Sequence, residues 1–262
     1  MLVSISTQAH AFAYGNFLGT DVDFLGVTDT TTSAGDPDRM FGGVIGPVTS
    51  GNQLLFFPTD FSASAAGGPP TSADSTSALL NLTIASSNPA FSINELLVTE
   101  FGNVDLSGLG TASASVSLGG QLTVTEVNFA PMTLVIPFSA TFSPNANGAF
   151  SLPGDVGSQL WNGSFLIDVA AELVKNGLAP FATRAVLQLD DNLDATSEAG
   201  TTALIQKDVV SGPVITIAVI PEPGTGLLLG AGLLALAARR RVAGRGAASS
   251  EQRRGPLMPS RS

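Results

Sequence analysis

Cysteine is absent from this chain of 262 residues, and histidine, tyrosine and tryptophan occur once each, as His10, Tyr14 and Trp161. Without thiols there is no disulfide framework, no thiolate zinc site and no iron–sulfur cluster. One histidine excludes a multi-histidine metal centre, and a lone Trp and Tyr supply no row of aromatic platforms for stacking sugars. Charge is sparse, at 12%, whereas 44% of residues are apolar. That balance excludes a disordered chain and provides for a sizeable core. Basic residues are the scarcer charge: 11 Lys and Arg stand against 21 Asp and Glu, for a net −10. A nucleic-acid binder needs the opposite sign. The deficit is unevenly spread. Residues 1–220 hold Arg39, Lys175, Arg184 and Lys207 against nineteen acids, for −15; residues 221–262 hold seven Arg against Glu222 and Glu251, for +5. An acidic body carries a basic tail.

The tail has three consecutive parts. Pro221-Glu222-Pro223 comes first, then an apolar run from Thr225 to Ala238, then Arg239-Arg240-Arg241. The two prolines remove backbone donors and end any strand arriving from Val214–Val219. Fourteen Leu-, Ala- and Gly-rich residues rise only ~21 Å as a helix, against ~30 Å of hydrocarbon core. By length the run is either a buried core helix or a short membrane segment. Three adjacent arginines favour the membrane, where they act as a cytoplasmic stop with their long stems snorkelling. The Gly226-x-x-x-Gly230 spacing is what composition alone produces in so Gly-rich a run.

In the order of its parts, over about residues 218–241, the tail resembles the PEP-CTERM sorting signal, which has also been labelled an ice-binding protein C-terminal domain. The resemblance implies export across a bacterial inner membrane, transient anchoring there, and processing by the membrane protease-transpeptidase exosortase. Pro221, Glu222 and Pro223 would then be the recognition positions, and Arg239, Arg240 and Arg241 the membrane stop. It makes the protein a substrate of an enzyme and implies no activity. Family members usually end soon after the arginines, whereas Val242–Ser262 follow here. That Gly/Ser/Arg-rich stretch reads as a disordered basic tail, or as a gene model running past the usual end. At the other terminus, Ala9-His10-Ala11 and Ala11-Phe12-Ala13 are small-x-small patterns of the kind signal peptidase cuts. Residues 1–13 are expected to be a truncated signal peptide; the alternative is an N-terminal strand.

Between residues 14 and 220 the apolar pattern has period two, which places alternate side chains on opposite sheet faces. Thr111–Leu118 alternates strictly, as does Leu80-Asn81-Leu82-Thr83-Ile84, and Trp161, Phe165, Ile167, Val169 and Leu173 form a longer series. Further strands are expected at Phe17–Val27, Met40–Ile45, Gln53–Phe57, Ile93–Phe101, Gln121–Phe129, Met132–Phe138, Arg184–Leu189, Thr201–Gln206 and Val214–Val219. Turns are expected at Gly119-Gly120 and Asp191-Asn192, among others, and a long loop at Ser62–Ser77. The expected fold is all-β: one antiparallel β-sandwich, jelly-roll-like, followed by one C-terminal hydrophobic helix at about 225–238. No repeat supports the regular threonine grid of an ice-binding face.

Asp190, Asp191, Asn192 and Asp194 form the most site-like patch. An oxygen-rich turn of this kind can hold Ca²⁺, although Ala195 stands where an EF-hand requires glycine; the other reading is a plain hairpin. No Gly-x-Ser-x-Gly elbow or phosphate loop occurs, and with nineteen acids in the body no glycosidase pair can be nominated. The expected function is that of a non-enzymatic surface or extracellular-matrix protein of a biofilm, exported and processed by exosortase, with exopolysaccharide as a partner. A secreted hydrolase or Ca²⁺-dependent glycan binder on the same tail is the alternative.

Overall fold

The computed structural model describes residues 10–31, 40–43, 46–68, 71–207 and 212–220, all within a compact unit spanning Met1–Pro221. The tail, from Pro221 through the expected helix at 225–238 to Ser262, lies outside the described residues. Among the described residues no helix is long and apolar enough to cross a membrane.

The strands, in chain order, are β1 (His10–Leu18), β2 (Val22–Thr31), β3 (Val48–Ser50), β4 (Gln53–Phe56), β5 (Ser62–Ala66), β6 (Thr71–Ser86), β7 (Glu95–Gly108), β8 (Ala112–Val127), β9 (Ala130–Ser139), β10 (Thr141–Ser143), β11 (Ala149–Ser151) and β12 (Gly157–Asp168). Helix α1 (Val169–Lys175) follows, then β13 (Ala182–Glu198), β14 (Thr201–Gln206) and β15 (Ile215–Ile220). They make two antiparallel sheets packed as a sandwich. The first runs β1-β2-β6-β13-β8-β11, with β9 also on β8. The second runs β10-β12-β7-β15-β4-β3, with β14 joining β7 to β5. One edge of β7 is therefore shared: Glu95–Glu100 pairs with β15, and Asn103–Gly108 with β14.

Inner faces of both sheets supply one continuous core, with Phe24, Leu80, Ile84, Phe56 and Trp161 at 0–1% exposure. Each such side chain contributes about 1.5–3 kcal/mol by leaving water. The long central strands keep the expected alternation: β13 buries Ala185, Leu187, Leu189, Leu193 and Ala195 on one face. Trp161 is a core residue, as its place in an alternating series implied.

Several expected boundaries are corrected. Gly119-Gly120 and Asp191-Asn192 are not turns but lie inside β8 and β13, which pair from Ser197↔Ala112 to Ala182↔Val127. A ladder that runs on both sides of β13 without a register shift from Ala185 to Ser197 outweighs the local turn preference of these residues. The Ser62–Ser77 loop is instead β5 and the start of β6, with Ala63 and Ala65 buried as small inward residues. Phe17–Val27 divides at Gly19–Asp21 into β1 and β2, and residues 40–43 of the expected strand Met40–Ile45 form a turn. The strand expected to reach Leu173 stops at Asp168, whose carboxylate accepts from Ala171 N at 2.7 Å and caps α1.

Candidate functional site

Of the sorting residues, Pro221, Glu222, Pro223, Arg239, Arg240 and Arg241 lie outside the described residues. The approach to them is inside: β15 runs Ile215–Ile220, with Val219 buried and its N–H donating to Asn52 O at 3.0 Å. At the other end, His10, Ala11, Phe12 and Ala13, expected in a leader, pair with Thr31, Thr30, Asp29 and Thr28 as the start of β1.

The calcium candidates are separated by the pleat. Asp190 and Asp194 point out of the sheet with the half-buried Asn192, whereas Asp191 points into the core. The four do not converge on one ion. Outside, Asn192 Nδ2 donates to Asp190 Oδ1 at 3.3 Å and to Ser117 Oγ at 3.5 Å, so these groups partly satisfy one another. Among the described residues no group of three acidic or histidine side chains is placed to hold a metal.

Inside, Asp191 meets a constellation that the sequence reading missed. Lys207 Nζ donates to Asp191 Oδ2 and to Glu100 Oε2, and all three side chains have zero exposure. Each comes from a different part of the sandwich. Asp191 is at the middle of β13, between Ala78 on β6 and Leu118 on β8. Glu100 sits on the inner face of β7, in register with Gly163 and Ile215. Lys207 follows β14, and its backbone N–H extends the ladder to Phe61 O at 2.9 Å. Aromatic rings close the site: Nζ is 4.8 Å from the Phe61 ring centre and 5.8 Å from that of Trp161.

The charge balance of this cluster is unequal, with two carboxyls facing one ammonium in a dry interior. Burial, followed by the adjacent Glu100 carboxyl, pushes Asp191 well above the usual carboxylate range, against the pull of Lys207. For Lys207, burial works against the charged form, but attraction to Asp191 and Glu100 outweighs it and holds the amine above its ordinary value. Glu100 Oε1 and Asp191 Oδ1 receive no hydrogen bond from an N–H or hydroxyl among the described residues. Burial and the adjacent carboxyl both push Asp191 towards its protonated form.

Two surface grooves lie among the described residues of the body. One, about 410 Å³ between β8, β11 and β13, is lined by Ser113, Ser115, Asn147, Ser151, Asp194 and Thr196 and carries a single carboxylate. The other, about 320 Å³ beside α1, holds Asp168 and Glu172. Both of those acids have structural partners, Asp168 as the helix cap and Glu172 in a 3.1 Å pair with Lys175.

No curated protein matches the chain. Among solved structures, similarity is found to endoglucanase 3 of Trichoderma harzianum, from family GH12, at 9% identity over 83% of this chain and 100% of that one, with a TM-score of 0.18. The family 11 xylanase of Neocallimastix patriciarum shows 8% identity over 75% and 96%, with a TM-score of 0.15. A structure of infectious bursal disease virus shows 13% over 92% and 70%, also at 0.15. At TM-scores this low the likenesses carry no argument. The family comparison agrees with the tail's own chemistry: residues 219–241, from the end of β15 through the three arginines, match the PEP-CTERM protein-sorting motif.

Proposed function

We propose that this chain is a non-enzymatic surface or extracellular-matrix protein whose acidic β-sandwich is cargo for exosortase. The carrying observation is the sorting motif at residues 219–241, which implies export, membrane-anchored sorting and processing. The charge distribution supports it. A body at −15 stays soluble and repels its copies outside the cell, while the +5 tail suits the cytoplasmic membrane face. In this reading Thr225–Ala238 is the transient anchor and exopolysaccharide the surrounding partner. Two described grooves are consistent with this reading: the carboxylates of the one beside α1 are already engaged, and the other has one acid where glycosidase chemistry needs two.

Replacing Pro221, Glu222 and Pro223 with alanine in the full chain, in a host containing exosortase, tests the sorting role. The expected result is an unprocessed form retained in the membrane fraction. Release and processing equal to the parent would overturn it. The calcium-dependent alternative predicts a higher melting temperature in millimolar Ca²⁺ than in EGTA. With Asp191 turned into the core, equal melting in the two is expected.

A further inference from the structure

The Glu100–Lys207–Asp191 cluster lies outside the sorting motif at residues 219–241, and its composition is unusual for a structural ion pair. The chain has only two lysines, and one of them is fully buried against two carboxyls and two aromatic rings. We propose that Lys207 and Asp191 join through an intramolecular isopeptide bond, from Nζ of Lys207 to Cγ of Asp191, with Glu100 carrying the protons.

The chemistry follows from the placement. An amine attacks a carboxyl group only when the amine is neutral and the carboxyl is protonated, so that a hydroxyl rather than an oxide is displaced. The two carboxyls hold the Lys207 amine charged at rest, so it becomes neutral only by handing a proton to a carboxylate it touches, and Glu100 is placed to take it. Asp191 is assigned as the acyl group because Nζ touches its Oδ2 and because burial and the neighbouring Glu100 push it towards the protonated form. Its Cγ lies one bond beyond the Oδ2 that Nζ already touches. In the first step Lys207 passes one proton from Nζ to the Glu100 carboxylate, which it contacts through Oε2. The freed lone pair forms the N–C bond to Cγ, giving a tetrahedral centre. Glu100 then gives its proton to the departing hydroxyl and receives the second proton from nitrogen. The C–O bond breaks, one water leaves, and Glu100 ends protonated beside a neutral amide. No oxidant, metal or cofactor is consumed. The reaction replaces buried charges with an amide, and enclosure of the site keeps water from reversing it.

The bond has a structural consequence. Asp191 belongs to the sheet containing β13, and Lys207 extends the β14–β5 ladder of the other sheet, so the link joins the two layers covalently. A chain with no cysteine has no disulfide with which to do this. The inference does not depend on sorting, because every reacting group is inside the folded body.

Endoproteinase Glu-C digestion of the unfolded full chain, made in a host without exosortase, reads the bond directly. Cleavage after Glu172, Glu198 and Glu251, the Glu222–Pro223 bond being resistant, is expected to release residues 173–198 and 199–251 as one branched species lighter than their sum by one water. Two separate peptides at full mass would overturn the proposal. So would a branch from 199–251 to residues 96–126, which would make Glu100 the acceptor. Glu100→Gln, with its sheet content checked by circular dichroism, is expected to leave the peptides separate. Linkage as complete as in the parent would overturn the proton-carrying role of Glu100. The parent digest decides the bond itself, however the variant behaves.

Discussion

Gly102 and Trp161 stand opposite each other on β7 and β12, and the indole lies where a side chain on residue 102 would be. A Cβ there would also meet Gln206 O, the carbonyl just before Lys207. Two residues along β12, Gly163 faces Glu100, and a Cβ on it would crowd Phe142 and the Glu100 carboxylate. Glycine inside a strand lacks packing surface and marks close approach; here the two empty places are filled by the rings and carboxylate around Lys207. Gly102→Ala is therefore expected to cost about 1–3 kcal/mol, read as a lower urea midpoint at unchanged slope. In sequence Gly163 was visible only as a gap in the series that starts at Trp161, and Gly102 lay just past the expected strand Ile93–Phe101, because a glycine does not announce what occupies its missing side chain's volume. Asp191 was likewise legible as one acid of a patch and not as the inward one. Placing the pleat requires knowing that the strand continues through it.

At the scale of elements, period-two patterning located most strands, and strong partners then lengthened them. β8 and β13 run through Gly-Gly and Asp-Asn pairs that would be turns in isolation, because neighbours on both sides of β13 satisfy its backbone. Helix α1 went the other way. Its residues continue the alternating series, but Asp168 caps the first turn and Lys175 pairs with Glu172 near the end. Asp168→Ala removes that cap and is expected to cost about 1 kcal/mol, seen as a lower thermal midpoint. Connections between elements are held by Asp21, after β1. Its carboxylate accepts from Asn52 Nδ2 at 3.2 Å and Asn88 Nδ2 at 2.9 Å, tying the β3–β4 and β6–β7 connections to the β1–β2 turn. The hydrogen bond from Asn88, then that from Asn52, lowers the pKa of Asp21 below the ordinary carboxylate value. A lowered folded-state value contributes stability that is present above the unfolded pKa and is lost as pH falls through the folded one. Melting temperatures of the parent and of Asp21→Asn should therefore differ at neutral pH and converge below the lowered pKa. A gap that persists there would contradict this.

At the scale of the whole body, two sheets share one core, and among the described residues the cluster of Glu100, Lys207 and Asp191 brings charge into it, as Asp29 does elsewhere. An ion pair alone in such a place stabilises little, because desolvation offsets the attraction. A covalent link between residues 16 apart acts differently, since it closes a loop in the unfolded chain. By analogy with a disulfide of that span it contributes about 3 kcal/mol. A folded but unlinked Glu100→Gln protein should accordingly melt well below the parent, and equal melting would deny the link its stabilising role. The order Pro-Glu-Pro, apolar run, arginines was complete in the sequence, because sorting signals are read as linear segments. Alternation likewise determined the all-β class, since it depends only on the pleat. The meeting of Glu100, Asp191 and Lys207 was decided by tertiary structure alone. Their separations of 107 and 16 positions carry no period, and only two sheets closing face to face bring them within reach.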